Sequence, residues 1–348
     1  MKRHYEILDG LRGTAALLVV VFHLLEARFP DPALNPMHHA FLAVDFFYLL
    51  SGFVVGYAYD DRMAAMGIAK FLRTRLIRLH PLVILGVLIG AIGYWFDPFA
   101  QAEQPVTFPR LLLSLGLGIL LIPAPDLPNR YGETHSLNGP CWSLLQEYIA
   151  NIIYALVGLR LGKPGLWLLV ITSGLTLLIT AAYLPNLGTG WGWENIWIAP
   201  IRMMFPFFAG LLLYRTGLRI KIPFAYPLLS LLLLIIFCAP TFTYNGLAEA
   251  ACIILVFPLV VAAGAGGHVS GRWAKLSAFS GRISYPIYIL HYPFIYIFTH
   301  WFYAKNPAVD QFSTVAAACL LFFVALAWVA LRLYDEPVRS WLKRKLAA

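Results

Sequence analysis

Arg12 and His23 are separated by ten residues in LDGLRGTAALLVVVFH, residues 8–23. Eleven steps along an α-helix complete three turns and rise about 16 Å, so a guanidinium at the mouth of an apolar helix and an imidazole inside it share one face at different depths. An ionisable group within a membrane span points to function, and a sheltered imidazole can act as a general base. Asp45, in FLAVDFFYLLSGF, and Glu147, in CWSLLQEYIANIIY, each lie about two turns into their apolar segments from the opposite side, at a depth close to that of His23. A carboxylate beside an imidazole raises its basicity and fixes its tautomer. Glu26, one turn beyond His23 on the same face, is a further partner, and spacing does not choose among the three. His291, in ISYPIYILHYP, reaches a similar depth and can face the same cavity. Its structural alternative is a hydrogen bond across helices, as pairing with arginine is for Asp45 and Glu147. Asp9 reads as a helix N-cap.

FLRTRLIRLHP is the second constellation, with Arg75 and Arg78 one turn apart. Guanidinium groups at this spacing suit phosphate capture; their structural alternative is an anchor against lipid headgroups. Taken with Arg12, they place three arginines at one mouth with a histidine about 16 Å deeper. That is the shape of a nucleotide-headed donor with its reactive end on a long arm, as in an acyl-coenzyme A.

The elements that must position these groups are membrane helices. With 60% hydrophobic and 12% charged residues and a mean hydropathy of +0.73, the 348-residue chain carries far too much apolar surface for one soluble core. The net charge of +9 does not indicate nucleic acid, because the basic residues cluster between apolar runs. Lys2, Arg3 and Arg12 precede the first run, and Arg62, Lys70, Arg73, Arg75 and Arg78 come after the second, which assigns both places to the cytoplasm. The chain then divides into ten spans, at residues 11–29, 40–59, 81–96, 140–160, 165–184, 195–214, 222–240, 247–264, 283–303 and 312–333, with both termini cytoplasmic. The apolar run 110–122 is too short to cross and reads as re-entrant. PAPDLPNRYGETHSLNGP, residues 123–140, falls on the outer side, partly folded into the bundle. The expected fold is therefore all-α, a polytopic transmembrane bundle forming a single domain over residues 1–348. His38, His39, His80, His268 and His300 read as solvated or interfacial, and the WGWEN cluster as an interfacial anchor. The scattered Cys141, Cys238, Cys252 and Cys319 have no metal-ligand spacing, and no metal or tightly bound cofactor is expected.

The order LDGLRG, VVVFH, VDFFYLLSGF, FLRTRLIRLHP, WSLLQE and ISYPIYILHYP resembles the acyltransferase-3 family of membrane-bound O-acyltransferases over nearly the whole chain. The family's basic residue, ten intervening residues and histidine fall on Arg12 and His23, and its R-x-x-R element falls on Arg75 and Arg78. The resemblance implies transfer of an acetyl or related acyl group from cytoplasmic acyl-CoA to a hydroxyl of a carbohydrate or other cell-envelope acceptor, in the inner (plasma) membrane. Arg12, Arg75 and Arg78 would then hold the donor, with His23, Asp45, Glu147 and His291 around the chemistry. His23 would act either directly as base or through an acyl-enzyme. The C-terminal periplasmic hydrolase-like domain of some members is not expected here. Membrane lipid is a further partner, and homo-oligomerisation is left open. The rival reading is a proton-coupled transporter or flippase using the same intramembrane His, Asp and Glu as a relay. It does not account for Arg75 and Arg78.

Overall fold

The apolar run after Glu6 forms α1 (Glu6–Glu26), whose 21 residues are long enough to cross a bilayer core. It is followed by α2 (Ala43–Tyr59), a single turn α3 (Met63–Met66), α4 (Ile68–Trp95), α5 (Phe108–Ile119), α6 (Cys141–Ile153), α7 (Lys163–Ala182), α8 (Ile198–Thr216), α9 (Ala225–Phe237), α10 (Asn245–Ala251), α11 (Phe257–Gly266), α12 (Gly271–Leu290), α13 (Tyr292–Lys305), α14 (Val309–Ala330) and α15 (Glu336–Ala347). This computed structural model describes residues 4–31, 33–100 and 106–347, and no strand occurs among them. Lys2 and Arg3, which helped orient the first span, lie outside the described residues.

Seven helical segments among the described residues have the length and hydropathy to cross a membrane: Glu6–Glu26, Ala40–Tyr59, Ile68–Trp95, Lys163–Ala182, Ile198–Thr216, Asn245–Gly266 and Val309–Leu346. The other three expected spans are shorter or interrupted. The 140–160 segment is the 13-residue α6 plus a π-turn, Tyr154–Gly158, and 222–240 contains only the 13-residue α9. The 283–303 segment is broken at His291 between α12 and α13. The run expected to be re-entrant, 110–122, overlaps the 12-residue apolar helix α5, which starts two residues earlier.

A second difference concerns residues 68–80, expected in a loop but forming the first turns of α4. Leu, Arg, Lys and Ile tolerate helical backbone, and the charge cluster that reads as a loop does not oppose a helix. Gly67, at φ +76°, supplies the left-handed residue from which this helix starts. Arg75 and Arg78 are therefore carried on a rigid element.

Two helix pairs set the frame, α1 along α12 and α2 along α8. A Cβ on Gly52 would sit 1.8 Å from the Phe207 carbonyl oxygen, and one on Gly210 would sit 2.0 Å from that of Leu49. Only glycine at both positions lets these two backbones touch. Between α5 and α6 the polar stretch sinks into the protein, burying Glu133, Thr134, His135, Ser136 and Asn138. It is tied to the tryptophan-rich loop by Thr134 N–H to the Trp191 carbonyl (3.0 Å) and Trp193 N–H to the Gly132 carbonyl (3.0 Å).

Candidate active site

A cavity of about 570 Å³ is lined from α1, α2, α4, α6, α12 and the last helix by five arginines, Arg12, Arg75, Arg78, Arg282 and Arg339. Four of them already have carboxylate partners. Arg12 donates to Asp9 Oδ1 at 2.8 Å and, through Nε, to Ser284 Oγ at 3.0 Å. Asp9 is thus not an N-cap: α1 starts after Tyr5 without a side-chain cap, and Asp9 pairs with the arginine one turn on. Arg75 is buried and donates to Glu147 Oε1 at 2.6 Å, an oxygen that also accepts from Ser51 Oγ at 2.9 Å. Arg282 pairs with Glu336 and Arg339 with Asp335, each at 2.8 Å. Arg78 makes no hydrogen bond or ion pair among the described residues. One turn of helix therefore separates an arginine committed to the protein from one open to the cavity.

A second cavity, of about 370 Å³, holds His23, Glu26, Glu133, Trp142, Tyr292 and Arg202 among its walls. His23 Nδ1 lies 2.5 Å from Glu26 Oε2, while its Nε2 has no protein partner among the described residues. This arrangement suits Nδ1–H donating to the carboxylate and Nε2 left as the acceptor, the form a general base requires. The Tyr292 ring stands edge-on to the imidazole, with centroids 4.8 Å apart. Its hydroxyl donates to Glu133 Oε1 at 3.2 Å, and Tyr296 donates to the other oxygen of the same carboxylate. Burial pushes the Glu133 carboxyl up to about 8, against the opposing effects of the Tyr296 hydroxyl and Arg130.

Val44 and Tyr288 line both cavities and stand between them. Ser143 Oγ donates to the Pro140 carbonyl at 2.8 Å and is 2.7 Å from the Tyr288 hydroxyl, which fixes Tyr288 as the donor of that bond. Arg12 and His23, on one unbroken helix, open into opposite cavities.

Three expected relationships are corrected. Asp45 does not meet His23; it is fully buried against Arg202, which also donates to the carbonyls of Thr189 (2.7 Å) and Phe41 (3.3 Å). Removing a carboxylate from water requires such a partner, and Arg202, an intramembrane arginine in IRMMFPFFAG, is the sequence signal that points to it. Glu147 does not meet His23 either. Because the 123–140 stretch descends into the bundle, α6 begins deep, and two turns later Glu147 lines the arginine cavity. His291 lies near His23, with ring centroids 5.5 Å apart, but lines neither cavity. It is completely buried, its Nδ1–H donates to the Ile287 carbonyl at 2.9 Å, and its Nε2 is left without a partner among the described residues. Glu26 is the carboxylate in contact with His23. Two histidines read as solvated or interfacial are paired with carboxylates: His39 with Glu249 (2.8 Å) and His300 with Asp97 (2.6 Å).

The features together define a membrane protein: an all-helical bundle with an arginine-lined cavity on one side of a wall and a histidine–carboxylate pair on the other. The chain belongs to the acyltransferase-3 family, whose profile, described as an acyltransferase domain, matches residues 5–332. It is 33% identical over 186 residues to "Protein 2 in picA locus" of Rhizobium radiobacter, covering 51% of this chain and 94% of that one. It is 25% identical over 379 aligned positions to "Acyltransferase MdmB" of Streptomyces mycarofaciens, covering 97% of this chain and 92% of that one. No solved structure matches the chain significantly. Membership of this family makes the protein an enzyme that transfers acyl groups.

Proposed function

We propose that the protein transfers a short acyl group, acetyl in the first instance, from cytoplasmic acyl-CoA to a hydroxyl of a carbohydrate or other cell-envelope acceptor. The observation that carries this reading is the placement of the His23–Glu26 pair across the Val44–Tyr288 wall from a cavity containing the unpaired Arg78. The donor's phosphates rest among Arg78, Arg12 and Arg75, and its arm runs toward the wall. The acceptor enters the aromatic cavity. His23 Nε2 takes the proton of the acceptor hydroxyl as its oxygen attacks the thioester carbonyl. The C–S bond then breaks, and the same proton passes to the departing thiolate, so that CoA leaves as the thiol. Glu26 acts as a positioning residue, holding the tautomer and stabilising the imidazolium. A positioned base of this kind contributes on the order of a hundredfold to ten-thousandfold.

The reading includes ten crossings of the plasma membrane with both termini cytoplasmic, the three shorter or broken segments crossing within the protein. The transport alternative uses intramembrane acids and imidazoles but gives no role to an unpaired guanidinium in an arginine cavity. The experiment that tests the proposal measures free CoA thiol released by purified protein from acetyl-CoA in the presence of a cell-envelope glycan extract. His23→Ala abolishes the release while the protein still elutes as a folded species; an unchanged rate overturns the role of His23.

A further inference from the structure

The C-terminal helix contributes a pair to the arginine cavity that the family motifs do not include. Asp335 ends a π-turn, Leu331–Asp335, and Arg339 lies one turn further along α15, both just past the segment matched by the family profile. A π-turn inserts an extra residue and rotates the helix beyond it, a device concentrated at functional sites. Here Leu331, Asp335, Glu336 and Arg339 all line the cavity, and α15 packs against α4, which bears Arg78.

The pair has unused bonding capacity. Arg339 Nη1 donates to Asp335 Oδ2 at 2.8 Å, but Arg339 Nε and Asp335 Oδ1 are both buried without a hydrogen-bond partner among the described residues. Buried polar groups are satisfied in the great majority of proteins, so orphaned atoms in a cavity wall call for a ligand or water. Exposure grades along the cavity: the side chains of Arg282, Arg339 and Arg12 are 49%, 29% and 25% exposed, against 4% for Arg75. Arg339 therefore belongs to the rim, further out than the arginines nearest the wall. On a donor whose thioester reaches the wall, the group left at the rim is the far end of the nucleotide.

We propose that Arg339 binds the terminal phosphate of the donor nucleotide, the one carried on the ribose of CoA, and that Asp335 is the positioning residue that aims it. The inference rests on the donor reading above and adds a specificity to it. A lipid headgroup offers the same phosphate chemistry at the cytoplasmic rim, and the comparison of two donors separates the sources.

The test uses the intact protein with acetyl-CoA and acetyl-3′-dephospho-CoA. Loss of one charge-assisted phosphate contact corresponds to about tenfold in kcat/KM. Wild type prefers acetyl-CoA by about that factor, expressed in KM, and Arg339→Gln reduces the preference toward one, with Arg339→Lys retaining part of it. Asp335→Asn lowers the preference in the same direction, whereas Arg332→Gln, outside the cavity, keeps it. Equal losses on both donors in Arg339→Gln, the result expected if the arginine grips lipid or only supports the fold, overturn the proposal, as does a full preference in that variant. A wild type that consumes neither donor overturns the donor reading and this inference with it, and is distinct from a wild type that consumes both equally, which overturns only the inference.

Discussion

His23 Nδ1 and Glu26 Oε2 lie 2.5 Å apart on the last turns of one helix, with the other imidazole nitrogen unpartnered among the described residues, in the second cavity. The pair is local, three residues apart, so it survives small movements of the surrounding helices. In the proposed reaction its role depends on the tautomer the carboxylate selects.

Glu26→Gln keeps the shape of this pair and removes its charge. The expected outcome is a fall in kcat of about tenfold to a thousandfold, with KM for the donor nearly constant, because the imidazolium loses its stabilising partner. Initial rates over a donor titration separate kcat from KM and check it. A variant with the wild-type kcat excludes Glu26 from positioning His23.

Arg75 and Arg78 should separate experimentally although they form one motif. Arg78→Gln removes a cation without a protein partner and is expected to raise KM for the donor about tenfold at little cost to the fold. Arg75→Gln leaves Glu147 without its arginine and is expected to lower thermal stability as well as activity. Melting curves in detergent beside donor titrations distinguish the two; identical behaviour would refute the asymmetry.

The Asp45–Arg202 pair is fully buried and joins α2, α8 and the loop carrying Thr189. Asp45→Ala strands a guanidinium and is expected to cost about 3–5 kcal/mol, whereas the double replacement by leucines costs markedly less, because it removes both charges together. Thermal unfolding of the single and double variants measures the difference.

The sign for Glu133 follows from its raised pKa of about 8, against an ordinary value of 4.5. The folded protein binds this proton more tightly than the unfolded chain, so its contribution is fully present below about pH 4.5, declines as pH rises, and is lost above about pH 8. Stability is therefore expected to fall between pH 5 and 8, and Glu133→Gln to flatten that dependence. A melting-temperature series against pH in both proteins provides the check.

The legible part of the site was what lies on single helices. Arg12 with His23, Glu26 one turn on, and Arg75 with Arg78 all follow from helical spacing, and all sit at the cavities now seen. Pairing with arginine was an open alternative for Asp45 and Glu147, but which arginine Glu147 meets was not legible, because it depends on how deep α6 begins, and that depth is set by the burial of residues 123–140. This stretch reads as polar, proline-rich and partly folded into the bundle, and its side chains do find hydrogen bonds inside: Ser136 with Asp126, Asn138 with the Ile289 carbonyl, and Glu133 with two tyrosines. Charge misled over where the third span's helix starts: the basic residues 68–80, placed between spans, form the first turns of α4. The place of Arg339 at the cavity is likewise not legible, because helical spacing does not announce the π-turn that precedes it.

The wall of Val44 and Tyr288 ties three helices together at one point. Val44 comes from α2 and Tyr288 from α12, and the Tyr288 hydroxyl donates to Ser143 on α6. The partition between the two chambers is therefore only as stationary as the packing of three separate helices, and a shift of any one of them changes what can be passed between the chambers.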